Sequence, residues 1–162
     1  MTLSTENSVK AKVHNQPAFD EAEALEALSP GQGVVRGAGG FEAAGADSTT
    51  TRVVREQRNP GGRGVEDNES PLKKGYAVGE NVETIGFLRF DQARLLLDYA
   101  DVDGDGTADT YQEGAEVGWN ANGHLEVISG GTPTTPVAEI VEDDPIELTA
   151  GDAPIHARVE FL

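Results

Sequence analysis

Asp101, Asp103, Asp105 and Asp109 stand at relative positions 1, 3, 5 and 9 of the run DVDGDGTAD, with Gly106 at position 6. That is the spacing of a calcium loop, in which alternating oxygens converge on a hard cation only if the backbone turns tightly between them. Gly106 permits such a turn because it has no Cβ to clash. The expected ligands are the carboxylates of Asp101, Asp103 and Asp105 and the carbonyl of Thr107, with Asp109 direct or acting through water. Position 12 is Gln112 rather than a bidentate glutamate, although Glu113 follows it. The next segment, GAEVGWN, does not read as the exiting helix of an EF-hand, so the expectation is a lone Ca2+ loop between strands.

Little else in the chain reads as catalytic. His14, His124 and His156 are the only histidines, and none belongs to an HxxxH or HxxE array suited to a metal or general base. No GxSxG nucleophile elbow and no GxxxxGK[ST] phosphate loop is present. Absence of cysteine removes disulfides, zinc-thiolate sites and thiol nucleophiles. The expectation is a protein that is not an enzyme. Arg52, Arg55, Arg58 and Arg63 form the other cluster, and guanidinium forks suit the carboxylates of an acidic protein partner.

The elements that must carry these residues read mainly as strands. FDEAEALEAL, residues 19–28, has helix formers, early acids and apolar residues at helical spacing, and Ser29-Pro30-Gly31 would end a short helix there. Residues 1–18 are polar with isolated apolar positions and read as an extended N-terminal arm. The arm and helix, residues 1–30, precede a single β-domain over residues 31–162. Within it, residues 31–47 suggest short strands or irregular loop, residues 49–57 a strand, 58–70 a turn and long polar loop, and 75–90 strand. ARLLLDYA, residues 93–100, reads as a buried strand or as one or two helical turns, its apolar run not resolving the period, with strand preferred. GAEVGWNANGHLEVIS, residues 114–129, reads as a hairpin turning near Asn122-Gly123. VAEIVED and HARVEFL, residues 137–143 and 156–162, alternate as strands do. The fold expected is mainly β, a compact β-barrel or β-sandwich.

With 162 residues the chain suits one ordinary core. Its 29 acids against 12 bases would repel phosphate backbones and anionic lipid, which disfavours nucleic-acid and membrane partners. Acid-rich, lysine-poor composition looks halophilic. The acidity is concentrated in residues 91–162, where 16 acids face only Arg94 and Arg158. No apolar h-region or membrane-length apolar run is evident, so neither signal-directed secretion nor membrane insertion is expected.

The segments GYAVGENVE (75–83), GAEVGWNANGHLEVI (114–128), PVAEIVEDD (136–144) and AGDAPIHARVEFL (150–162) carry a resemblance. Residues 75–162 resemble the small β-barrel head-decoration proteins of tailed phages, especially those of haloarchaeal tailed viruses. In that family a G-x-x-V strand leads to a polar hairpin, a VAE strand follows, and an alternating strand closes the chain. The aspartate loop looks like an insertion, and no family site carries onto it. The resemblance implies a capsid decoration protein on the outer surface of the virion, with the arm reaching neighbouring coat subunits. Its partners would be the major capsid protein and itself as a homo-oligomer, a trimer in the first instance. The alternatives are a calcium-dependent cell-surface or adhesion module of a halophile and a small hydrolase with an unrecognised site.

Overall fold

Short apolar-polar alternations punctuated by glycine and proline favour strands over helices, and in the computed structural model, which describes residues 8–13, 18–57 and 71–162, the regular elements are almost all strands. In chain order these are β1 (Lys10–Lys12), β2 (Ala18–Ala24), β3 (Val34–Gly37), β4 (Gly40–Ala43), β5 (Arg52–Val54), β6 (Asn81–Gly86) and β7 (Gln92–Leu97). They are followed by β8 (Asp109–Tyr111), β9 (Glu116–Trp119), β10 (Leu125–Val127), β11 (Ala138–Ile140), β12 (Ile146–Leu148) and β13 (Ile155–Phe161). One 3-10 turn, Pro71–Lys73, is the helical element among the described residues.

Strands β7, β10, β9, β11 and β13 pair in that order, and β13 pairs back onto β7, closing a small barrel. The β13–β7 seam is the longest within the barrel, running from Ile155↔Leu97 to Glu160↔Gln92. Alternation along β13 sends Ala157, Val159 and Phe161 inward, where they meet Leu95, Leu97, Val117, Trp119, Leu125 and Ile140. Beside the barrel lies a second sheet, ordered β3-β4-β2-β6-β5. A bridge from Gly33 to Val53 brings its two edges together. Its faces serve different cores: Val53 and Ile85 join the barrel's interior, whereas Val54, Val82, Phe41 and Leu28 enclose a smaller one. Strands β8 and β12 form a separate two-stranded ladder.

The strand assignments over residues 49–57, 75–90, 93–100, 137–143 and 156–162 each contain or overlap a strand of the structure, and 114–129 contains the antiparallel β9–β10 hairpin. The short helix is corrected. Residues 18–24 are β2, antiparallel to β6 over Ala18↔Gly86 to Glu23↔Asn81. Ala22 and Ala24 turn inward while Phe19, Glu21 and Glu23 face out. Helix propensity differs by only a few tenths of a kcal/mol between such residues, and a six-pair ladder outweighs it.

The extended arm is corrected as well. Lys10–Lys12 pair with Ala93 and Gln92 at the edge of β7, and Val9 is wholly buried in the barrel core. The Val9 amide donates to Glu56 Oε2 at 3.0 Å and Arg94 Nη1 donates to the Ser8 carbonyl at 3.1 Å. Residues 8–13 are therefore part of the body. The earlier boundary at residue 30 cuts through the second sheet, since β2 is one of its central strands.

Candidate metal centre and partner surface

The aspartate loop connects β7 to β8, and tyrosines at its base hold its ends together. The Tyr111 hydroxyl accepts from the Ala100 amide at 2.7 Å and donates to the Ala100 carbonyl at 2.6 Å. The Tyr99 hydroxyl donates to the Thr107 carbonyl at 2.6 Å. Between these anchors, Asp101 folds the chain around itself: its Oδ1 accepts from the Gly104 amide at 2.8 Å and its Oδ2 from the Gly106 amide at 2.9 Å. Both glycines have positive φ, 77° and 73°, a conformation in which a Cβ would strain the turn.

Asp101, Asp103 and Asp109 each bring a carboxylate oxygen to within 4.8 Å of the others. Oxygens on opposite sides of one calcium ion are about 4.6–5.2 Å apart, twice the usual bond length, so three carboxylates at this separation suit a single hard cation. Asp109 is fixed at the start of β8 opposite Leu148, and its Oδ2 accepts from the Val102 amide at 2.8 Å. All four aspartates accept hydrogen bonds within the loop, and Asp105 is the one outside the converging set. Asp105 Oδ1 accepts from both the amide and the hydroxyl of Thr107, at 2.8 and 2.6 Å, and the Thr107 carbonyl receives Tyr99.

The loop's electrostatics follow from this crowding. The hydroxyl and amide of Thr107 hold the Asp105 carboxyl below the usual range. At Asp103 the Asp105 amide pulls downward, but desolvation and the nearby Asp105 and Asp109 carboxylates prevail and raise it. Desolvation, followed by the field of Asp101, Asp109, Asp105 and Asp103, pushes the Tyr99 hydroxyl up. A cation among these groups would relieve that repulsion.

The arginine cluster divides. Arg55 is 3% exposed, ion-paired to Glu83 and lying 3.5 Å from Glu56, with its guanidinium 4.7 Å from the Phe19 ring centroid. It braces the second sheet internally and has almost no surface left for a partner, a correction to its assignment as a docking residue. Arg52 is half-buried, and its Nη1 donates to Thr84 Oγ1 at 3.0 Å. Arg58, Arg63 and His14 lie outside the described residues.

Two features are poorly signalled by the sequence. The turn between β6 and β7 exposes Leu88 (55%) and Phe90 (52%), and Phe90 has φ of 71°. The Phe90 amide donates to the Phe161 carbonyl at 2.8 Å, which sets the turn beside the end of β13 and exposed Leu162. Below it, Phe87 stacks on Phe161 with centroids 5.2 Å apart. The second feature is a polar knot. Asp98 Oδ2 accepts from Asn120 Nδ2 at 2.7 Å and lies 3.0 Å from His124 Nδ1, while Asn120 also donates to Glu126 at 3.0 Å. Burial opposes charge at Asp98, but the His124 and Asn120 hydrogen bonds win and keep its carboxyl low; Glu126, desolvated and facing Asp98, is raised. The pairings to Asp98 join residues 22 and 26 positions apart, so no local spacing could reveal them.

Compared with known proteins, the chain matches no family model and shows no significant similarity to a curated sequence.

Proposed function

We propose that this protein is a structural virion component, a capsid decoration protein that binds the outer surface of an icosahedral head and bridges major capsid subunits. The observation that carries the reading is the β6–β7 turn, which holds Leu88 and Phe90 outward on a closed barrel with Phe87 and Phe161 packed beneath. Exposed aromatic and aliphatic side chains on a firm support are what a contact surface requires. A phenylalanine kept at positive φ, where glycine or asparagine would be less strained, is accounted for if its ring is needed outside. The resemblance of residues 75–162 to head-decoration proteins agrees with this, and cyclic homo-oligomers, a trimer first, are the natural form at a symmetry axis.

Calcium at Asp101, Asp103 and Asp109 serves as a staple in this reading, tightening the β7–β8 connection. The same cluster favours the second reading, a calcium-dependent adhesion module of a halophile. Mass spectrometry of purified virions separates them. Recovery in stoichiometric amount, with release of the Leu88→Ser/Phe90→Asn double variant from reconstituted heads, is the expected result. Absence from particles, or undiminished attachment of the double variant, would sink the proposal as stated.

A further inference from the structure

A cavity of about 670 Å³ opens where the start of β13 and the residues before it face the Pro71–Lys73 turn, with Leu96 of β7 and His124 of the hairpin also lining it. That volume suits a small organic ligand. Its walls are chemically divided. Leu72 and Leu96 are buried, and Pro154 and Ile155 extend the apolar side, whereas Lys73, Ser29, His124 and His156 supply the polar groups.

Both imidazoles are held in place from outside the cavity. His124 Nδ1 is tied to Asp98, and His156 Nε2 lies 2.8 Å from the Pro30 carbonyl, to which it donates. His156 also sits opposite Leu96 in the β13–β7 ladder, which fixes its height in the wall. Rings anchored by second partners keep their orientation without a ligand, which lowers the entropy lost on binding.

Charge decides what would enter. In a chain with 29 acids, none of the nine lining residues among those described is acidic, and Lys73 brings one of only four lysines. Asp98 stands behind His124, its charge engaged by two side-chain donors. We propose that this cavity binds a small organic anion. Its carboxylate head meets the Lys73 ammonium and the Ser29 hydroxyl, and its short hydrocarbon body lies on Leu72, Leu96 and Ile155. This inference is independent of virion attachment and needs neither the aspartate loop nor the β6–β7 turn.

Titration of the whole protein with hexanoate, followed by amide and imidazole NMR signals, tests it. Saturable shifts at Leu96, His124 and His156 are expected, with hexanol and acetate each binding more weakly. Lys73→Glu should weaken hexanoate by roughly fivefold or more, on the scale of a partly exposed ion pair reversed in sign, and leave hexanol unchanged. Lys73→Met, which keeps the stem, should show a smaller loss in the same direction. No saturable shift, or equal binding of hexanol and hexanoate, would overturn the proposal. Shifts of the same signals with protein concentration alone would also overturn it, assigning the cavity to a second copy of the chain.

Discussion

The indole of Trp119 lies flat against Gly33: a Cβ at residue 33 would meet Trp119 Cε2 at 2.8 Å. Trp119 belongs to the barrel and Gly33 to the entrance of the second sheet, where it bridges Val53. The indole nitrogen donates to the Thr50 carbonyl at 2.9 Å, and the Gly33 amide donates to the Gly123 carbonyl at 2.8 Å. The two sheets are thus joined through one aromatic plane and one residue without a side chain. Gly33→Ala should destabilise the protein by about 1–3 kcal/mol, the cost of overpacking a filled site. Urea unfolding followed by fluorescence of Trp119, the sole tryptophan, would read the change at the joint itself.

Calcium affinity is the second test. Asp103→Ala removes one of the three converging carboxylates, and because even partners of metal ligands are worth tenfold or more, affinity should fall by at least about tenfold. Asp105→Ala should weaken binding less, since Asp105 stands outside the converging set, its Oδ1 accepting from Thr107. Calorimetry on both variants distinguishes them, and no heat from the unaltered protein would remove the ion from the account.

Arg55 should behave as an internal brace. Replacing it with methionine leaves Glu83 and Glu56 without their cation. Loss of one member of a buried pair costs about 3–5 kcal/mol, and the partial exposure of Glu83 places the expectation at the lower end. Chemical denaturation measures it. A variant as stable as the parent would return Arg55 to the list of surface contacts.

Stability should depend on pH through His156. Burial holds its pKa below the ordinary 6.5, partly offset by the Pro30 carbonyl and reinforced by Lys73 and His124. The unfolded chain therefore takes up this proton first as pH falls below about 6.5, and stability declines until the folded form also protonates. His156→Gln should flatten the curve between pH 7.5 and 5 relative to the parent, as read by urea midpoints. Acids such as Asp98, whose pKa lies below the ordinary carboxylate value, add a further loss only at lower pH.

Phe90 gives a prediction with opposite signs for folding and binding. Asparagine tolerates its φ of 71°, so Phe90→Asn should leave the isolated protein unchanged or more stable, by up to about 1 kcal/mol. In the proposed decoration role, attachment to heads should nevertheless weaken. Thermal unfolding alongside co-sedimentation with reconstituted heads measures both.

The sequence by itself determined the β character of the segments that hold β5, β6, β7, β9, β10, β11 and β13, but not of β8 or β12, because period-two alternation in β13 and the Asn122-Gly123 turn of β9–β10 are local signals. It also placed Asp101, Asp103 and Asp109 together, since their convergence depends on spacing within nine residues and on two glycines, while Asp105 falls outside the set. Tertiary structure alone decided the rest. FDEAEAL became β2 because β6 was available to pair with it, and residues 8–13 joined the body because β7 had an open edge. Arg55 turned inward because Glu83, 28 residues away, faces it across the ladder. These outcomes depend on which distant residues become neighbours, and no window along the chain contains that information.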